Sequence, residues 1–294
     1  MDVSIIIVNY NTFALTKATI ESVFEKTENI AFEIIVVDNN SPDGSGPHLR
    51  DFFGKKIKYI QNSENIGFGQ ANNIGFENSK GRYIFLLNPD TLLLNNAVKI
   101  LADHLDHHPQ VGVCGGNLYN ENGLPVLSFN MCFPSVFREL NYLFRDLLYI
   151  IRYGKCRYFN HTDTPLKVAY ISGADMMLRT SILNIVGGFD PDFFMYLEET
   201  ELTHRIKKKT GYCVHSVPQA KIIHLVGKSS SNDLTRMKLL LTGRRIYYQK
   251  THGYLGRSLV KIIFTLNVLS KLCLAIAKLN KQKIRYWQTA LQYV

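Results

Sequence analysis

Three short apolar runs, each stopped by a cluster of Asn or Asp, constrain this chain more than anything else in it. Residues 3–8 run into Asn9-Tyr10-Asn11, residues 33–37 into Asp38-Asn39-Asn40, and residues 83–87 into Asn88-Pro89-Asp90. Unbroken β-branched and apolar runs of this length read as strands buried on both faces, which is the habit of parallel sheets. Residues 57–60 and 111–113 read as two more strands. Helix patterns fall between them at 15–24, 48–53, 71–78 and 97–107. Repeated strand–helix–strand spacing predicts a Rossmann-like α/β fold, a mainly parallel sheet flanked by helices. Ligands of such sheets lie beyond the carboxyl ends of the strands. The polar clusters stand at those ends, and a purely structural turn does not require them.

The 294 residues suffice for one large domain or two small ones. A content of 46% hydrophobic and 20% charged residues excludes disordered, collagen-like and coiled-coil chains. The N-terminal run lacks a basic segment, so no signal peptide is expected. Five cysteines lie scattered without a CxxC pair, which argues against a disulfide scaffold or structural zinc and for a reducing cytosol. The net charge of +10 is lopsided: residues 1–202 carry −7, whereas residues 203–294 carry 18 Lys and Arg against one acid, Asp233. Such asymmetry calls for an anionic partner of the C-terminal third, whether lipid, nucleic acid or a phosphorylated substrate.

Beyond residue 120 the pattern is mixed. Residues 120–123 read as a turn, and 138–158 are rich in Leu, Tyr, Phe and Arg. Residues 167–179 read as strand, turn and strand around Ser172-Gly173-Ala174, 198–209 as a helix stopped by Gly211, and 220–225 as a strand. Helices at 234–250 and 259–278 complete a C-terminal helical extension. The second is apolar but interrupted by Lys261, Asn267 and Lys271. On a helical wheel Arg257, Lys261, Asn267, Lys271 and Lys278 fall in one half. That suits a helix lying in the interface of an anionic leaflet better than one crossing it, with packing on the domain as the competing reading. Residues 138–158 offer a second membrane-facing surface.

Each polar cluster admits a functional and a structural reading. Asp38 can accept from a ribose hydroxyl or a pyrimidine imide N–H, or cap the next helix. Asp90, held at the sheet edge by Pro89, can meet a divalent metal on a diphosphate, since Mg²⁺ takes one or two carboxylates plus phosphate oxygens; it can equally cap a turn. The Gly- and Asn-rich stretch Asn65-Ile66-Gly67-Phe68-Gly69 precedes a helix but is neither GxGxxG nor a Walker loop. Its glycines permit close backbone approach. Glu198, Glu199 and Glu201 open a helix, where the macrodipole alone explains acids. The aromatic run from Phe189-Asp190 to Tyr196 ahead of them suits the wall of a sugar site. His224 ends a strand, and such a histidine is more often a satisfied core residue than a ligand.

Read together, these segments resemble the family 2 glycosyltransferases, and within them the rhamnosyltransferase-like branch of bacterial cell-surface polysaccharide synthesis. The likeness runs in order through 3–11, 35–41, 65–68, Leu86-Leu87-Asn88-Pro89-Asp90, Ser172-Gly173-Ala174, Gly187-Gly188-Phe189-Asp190 to Tyr196, Glu198-Glu199 and His224. It implies the GT-A fold. The likeness spans roughly residues 3–230 and implies a donor half at 1–118 and an acceptor half of the same domain at 119–230; the charge and helix patterns beyond it add a basic helical membrane-associated tail at 231–294. The likeness further implies an inverting transfer from a UDP- or dTDP-sugar to a saccharide or lipid-linked acceptor, with Mg²⁺ or Mn²⁺ as cofactor, on the cytoplasmic face of the membrane.

Residue by residue, the resemblance makes Glu199 the catalytic base. It gives Asn9, Tyr10, Asp38, Asn65, Gly67, Asn88 and Asp90 to the donor, Asp190, Tyr196 and Glu198 to the acceptor, and Asp90 with His224 to the metal. Two departures stand out: Asn88 replaces the first acid of the DxD metal motif, and Glu199 stands where Asp is usual. The nearness of a helix N-terminus is expected to keep Glu199 ionised. Competing readings are a catalytically silent homologue, a nucleotidyltransferase, which would want a Gly-rich basic loop after the first strand, and a basic nucleic-acid-binding protein.

Overall fold

A computed structural model describes residues 1–225 and 233–293. The strands are β1 (Val3–Asn9), β2 (Phe32–Asp38), β3 (Lys58–Gln61), β4 (Tyr83–Leu87), β5 (Thr91–Leu93), β6 (Val111–Tyr119), β7 (Phe129–Asn130), β8 (Leu166–Val168), β9 (Tyr170–Ile171), β10 (Asp175–Arg179) and β11 (Cys213–His224). The helices are α1 (Phe13–Lys26), α2 (Ser45–Phe53), α3 (Phe68–Glu77), α4 (Ala97–His107), α5 (Val136–Leu143), α6 (Leu147–Tyr153), α7 (Thr180–Val186), α8 (Glu198–Thr210), α9 (Asp233–Thr251), α10 (Tyr254–Ala277) and α11 (Lys281–Leu291).

The main sheet runs β3-β2-β1-β4-β10-β6-β11-β5, with β8 paired to β11. Strands β1 to β4 are parallel, β6 and β11 are parallel to each other, and β10, β5 and β8 run antiparallel to their neighbours. The expected mainly parallel sheet is therefore present. β1 and β4 are buried along their whole length, as their unbroken apolar character requires. Each fully buried Ile or Val contributes about 1.5–3 kcal/mol relative to exposure, so the strand runs are a main source of the fold's stability.

Two strands are longer than the sequence suggests. β6 continues six residues past 113 because its glycines, Gly115 and Gly116, let Ile171 and Ala220 pack directly onto the strand. β11 begins at Cys213, not 220. It contains Pro218 and a register irregularity between Ser216 and Lys221 that breaks the alternation. The 138–158 stretch forms two short helices around a buried arginine. Arg138 bonds Asp146 and Tyr158 and lies over the rings of Tyr142 and Tyr149, at 4.1 and 3.8 Å.

The C-terminal helices pack on the body of the protein. The Tyr248 hydroxyl donates to buried Glu139 Oε1 (2.7 Å), and Arg244 pairs with the same carboxylate (2.9 Å). Lys250 bridges Asp190 (2.7 Å) and Asp192 (2.6 Å). Phe193, Tyr247, Tyr248 and Val260 form an apolar cluster across the joint. The boundary expected between 230 and 231 lies outside the described residues.

α10 packs on α5 and buries Val260, Ile263, Asn267, Val268 and Ala275, while Arg257, Lys261, Lys271 and Lys278 stay exposed. Asn267 is buried, whereas Leu255, Leu259, Ile262, Leu266, Leu269 and Ile276 are exposed, Leu255 by 76%. At 100° per residue these six form one continuous stripe. Phe137, Leu140, Phe144, Leu147, Leu148 and Ile151 of the α5–α6 region are exposed as well. By length and composition alone, α10 is apolar and long enough to cross a membrane.

Glu139 is 4% exposed and holds two groups of α9. Removing the charge of a hydrogen-bonded carboxylate beside a partly buried guanidinium costs about 1–3 kcal/mol. Glu139→Gln should lower the urea midpoint accordingly. An unchanged midpoint would mean that α9 docks without this contact.

Candidate active site

Asp38 ends β2 directly beside Asn9, its register partner on β1. Asn9 Nδ2 donates to Asp38 Oδ1 (2.6 Å), Ser41 Oγ (3.1 Å) and Ser45 Oγ (2.9 Å), while its Oδ1 accepts from Thr12 (2.9 Å) and Thr16 (2.8 Å). Asn9 is fully buried, and its amide is occupied in holding Asp38. Asp38 is also fully buried. It does not cap α2; its carboxylate takes the Ser41 N–H (2.9 Å), the Ser41 hydroxyl (2.6 Å) and Gln61 Nε2 (2.9 Å), and Gln61 itself is exposed. Tyr10 follows, 41% exposed.

Asn39 organises the next loop. Its amide donates to Asn65 Oδ1 (2.8 Å), and its Oδ1 accepts from Asn62 Nδ2 (3.0 Å) and the Ile66 N–H (3.2 Å). Asn65 Oδ1 also takes the Gly67 N–H (3.1 Å). Gly67 has φ +85°, and a Cβ there would strike the Phe194 carbonyl. The neighbouring Phe68 N–H donates to that same carbonyl (2.9 Å). Gly67 therefore serves backbone approach to the 189–196 segment, where a donor contact was expected.

Asn88-Pro89-Asp90 follows β4. Thr19 on α1 donates its hydroxyl to Pro89 O (2.8 Å) and Thr91 O (2.7 Å), and the Asn88 N–H reaches Ala174 O (3.0 Å). The turn is thus pinned from both sides. Pairing of β5 with β11 sets Thr91 opposite His224. That register brings His224 Nε2 to 3.4 Å from Asp90 Oδ1, with Asp90 2% exposed. The two residues expected to share a metal therefore lie side by side. Asn88 Oδ1 is buried and has no hydrogen-bond partner among the described residues. Among those residues no set of three His, Cys, Asp or Glu side chains converges in a metal-holding group. The Asp90 carboxylate, the His224 imidazole and the Asn88 amide oxygen are of the donor types that a hard divalent ion takes alongside substrate and water oxygens.

Glu198 and Glu199 open α8. The corner before them is unusual: Tyr196 and Leu197 both adopt left-handed backbone, φ +71° and +68°. Such residues are strained and need support from their surroundings. Gly243 of α9 supplies it, its Cα lying so close to the Tyr196 carbonyl that no side chain would fit. Glu198 is 5% exposed, and its Oε2 has no hydrogen-bond partner among the described residues. Burial, and then the neighbouring Glu199 charge, raises its carboxyl well above the ordinary range. Glu199 is half-buried, beside the Ser172–Ala174 turn; a Cβ on Gly173 would lie 3.6 Å from Glu199 Cγ. Its carboxyl is also raised, because burial outweighs the hydrogen bonds at the helix start. The expectation that the helix N-terminus governs Glu199 is thereby corrected. Half-buried Tyr170 on β9 is pushed up by desolvation and then by the Glu199 charge near it. Asp190 is turned to a different use from the one expected: its carboxylate is engaged with Lys250 and takes the Asp192 N–H (3.0 Å).

Sequence reasoning passed over Asn39, Thr19, Gln61, Tyr170 and Asp175. Only Asp175 carried a visible signal, an acid inside an apolar strand. It is fully buried in β10, opposite Leu87. The Gly116 N–H donates to its Oδ2 (2.6 Å), and burial raises its carboxyl well above the ordinary range.

The family model described as glycosyl transferase family 2 matches residues 4–164, more than half of the chain. A hexosyltransferase of low-salt glycan biosynthesis from Haloferax volcanii, Agl10, is 24% identical over 99% of this chain and 89% of its own length. An N-acetylglucosaminyl-diphospho-decaprenol L-rhamnosyltransferase from Mycobacterium tuberculosis is 24% identical over 68% of each chain. Among solved structures, GalNAc-T7 with UDP, GalNAc and Mn²⁺ superposes with TM-score 0.60 at 17% identity, over 85% of this chain and 48% of that one. S. aureus TarS 1-349 with UDP gives 0.54 at 15% identity, over 91% and 71%. Both structures share the fold.

Asp175 yields a prediction with a definite sign. Its folded pKa lies above the unfolded value of about 3.9. Its contribution to stability is therefore full below that value and is lost as pH rises through the folded pKa. Asp175→Asn keeps an acceptor for the Gly116 N–H and carries no charge. The variant should gain stability over wild type as pH rises from 4 to 9, measured by urea unfolding, and parallel profiles would refute a buried carboxyl. By the family match and the architecture around these acids, the chain belongs to glycosyl transferase family 2, and it is a glycosyltransferase of the GT-A fold.

Proposed function

We propose that the enzyme is inverting and metal-dependent, moving a sugar from a nucleoside-diphosphate donor to a saccharide or lipid-linked acceptor in cell-surface polysaccharide synthesis. The observation that carries this reading is the convergence of two acid centres on the carboxyl edge of one sheet. Asp90 lies beside His224, and Glu199 lies beside the turn whose Ala174 carbonyl takes the Asn88 N–H. The rhamnosyltransferase relative makes a nucleoside-diphosphate rhamnose the first donor to try, with dTDP- and UDP-sugars tested side by side. On this reading residues 1–118 form the donor half, 119–230 the acceptor half, and the tail holds the protein on the cytoplasmic face of the membrane. The outward apolar stripe of α10 supports the last point.

Transfer is a single displacement. The acceptor oxygen forms its bond to the anomeric carbon as the bond from that carbon to the diphosphate breaks, and the electron pair leaves with the nucleoside diphosphate. Glu199 takes the proton of the acceptor hydroxyl. A raised pKa makes it a stronger base near neutrality than an ordinary carboxylate. Glu198, in its more buried position, stays protonated and orients the acceptor together with Tyr196. Asp38 reads the base: an imide N–H would replace the Gln61 amide on its Oδ2, one N–H donor for another. Asn9 positions Asp38, and Tyr10 and Asn65 border the donor. Asp90 and His224, with Asn88 Oδ1, would hold the Mg²⁺ or Mn²⁺. When bound there, the ion supplies positive charge against the leaving diphosphate.

A silent homologue is the reading to exclude, since Asn88 replaces an acid. If the metal assignment is right, EDTA should abolish turnover, Mn²⁺ or Mg²⁺ should restore it, and Asp90→Ala should lose metal-stimulated donor binding in calorimetry. Turnover that persists in EDTA would remove the metal from this scheme.

Glu199→Gln is nearly isosteric and removes the proton acceptor. It should lower turnover by roughly 10²–10⁴ with donor binding little changed. Because Glu199 must be deprotonated and its pKa is raised, wild-type turnover should fall on the acid side at a pH above the ordinary carboxylate range. Glu198→Gln should cost less. A dead Glu198→Gln beside an active Glu199→Gln would transfer the base to the neighbouring residue.

A further inference from the structure

The tail helices border an open cavity of ≈ 320 Å³ that the transfer chemistry does not use. It lies between α9 and the first half of α10, within the size range of small-molecule sites, about 300–1,000 Å³. Its lining includes Arg244, Arg245, Arg257 and Lys261 and no acid. Arg244 is engaged with Glu139 and lies over the Phe264 ring at 3.8 Å. The other three are exposed and have no carboxylate within ion-pair distance among the described residues. α10 begins at the same wall, where Gly253 provides no side chain to cap its first N–H groups. Three cations and a helix start that share one cavity repel each other until an anion joins them.

The position of the cavity says which anion. Arg257 and Lys261 are one turn apart and lie about 110–150° around α10 from the centre of its exposed apolar stripe. With the stripe in the acyl layer, that side of the helix stands at the level of the headgroups. Tyr254, Phe264 and Tyr293 add aromatic surface to the same cavity, of the kind found at membrane–water boundaries. We propose that the cavity is a discrete binding site for the phosphate group of an anionic lipid, distinct from the donor and acceptor sites. The assignment rests on the reading of the tail as membrane-associated and is independent of the sugar transferred.

The test uses full-length protein and vesicles of phosphatidylcholine containing one third phosphatidylglycerol. Wild type should bind. Changing Arg245, Arg257 and Lys261 together to Gln should weaken binding on the order of a hundredfold, since each basic residue near an anionic surface contributes about 1 kcal/mol. Changing Lys278, Lys281 and Lys283 to Gln removes the same charge elsewhere in the tail and should cost less than tenfold. Equal losses would overturn the discrete site in favour of diffuse attraction. Glycerol phosphate should displace the protein no better than sodium chloride at equal ionic strength; better displacement would make the ligand a soluble phosphate and overturn the lipid assignment. Wild-type protein that binds no vesicles would overturn the membrane reading beneath the proposal. Both triple variants should melt like wild type and transfer sugar to a soluble acceptor at the wild-type rate, which separates failure here from failure of the glycosyltransferase scheme.

Discussion

The backbone corner at Tyr196–Leu197 is the constraint on which the site depends. Two consecutive non-glycine residues in left-handed conformation do not persist unless something holds them. Here the segment is gripped from both sides, by Gly67 against the Phe194 carbonyl and by Gly243 against the Tyr196 carbonyl. One glycine precedes α3, in the half that follows the first strands, and the other belongs to α9 near the end of the chain. Between them they fix where α8 starts, and α8 starts with Glu198 and Glu199.

That geometry explains how two adjacent carboxylic acids come to differ. Glu198 turns into the protein toward Gly69, where a Cβ would lie 3.6 Å from its own, and Glu199 turns toward the Gly173 turn. Both carboxyls are raised by burial, but Glu198 carries the added charge of its neighbour. Two acids whose environments differ in this way are suited to different tasks, one holding a proton and the other taking one. Asp175 shows the contrast. It is more deeply buried than either, enclosed in the sheet beside the Gly116 N–H and away from solvent.

Local signals were enough for the elements whose boundaries depend on local chemistry. β1, β2, β4 and α4 lie where apolar runs and the flanking Asn residues place them, and α8 stops at Gly211 in left-handed backbone, as a glycine C-cap does. β11 was half hidden because Pro218 and an irregular register interrupt its alternation. The wheel of α10 showed which residues share a face, but not that Val260, Ile263, Asn267 and Val268 are the ones buried, because that depends on the helices packed against it. The site divides in the same way. Asp90, His224 and Glu199 are visible as acids and a histidine at element ends. Asn9, Gly67 and Asp190 stand in equally suggestive places, yet the structure engages them with Asp38, Phe194 and Lys250. Nothing within a few residues of each reveals a partner many residues away in sequence.

The grip of Gly243 on the Tyr196 carbonyl also orders events in time. Chains fold from the N-terminus as they are made, at about 5–20 residues per second. Strands β1 to β4 can pair as soon as Leu87 has emerged, yet α9 is not available to hold the corner until more than a hundred further residues have been added. On the order of ten seconds of synthesis therefore separate the first assembled sheet from a fixed start to α8. During that interval the two glutamates are present but not positioned, so the growing polypeptide acquires its sheet well before it acquires its base.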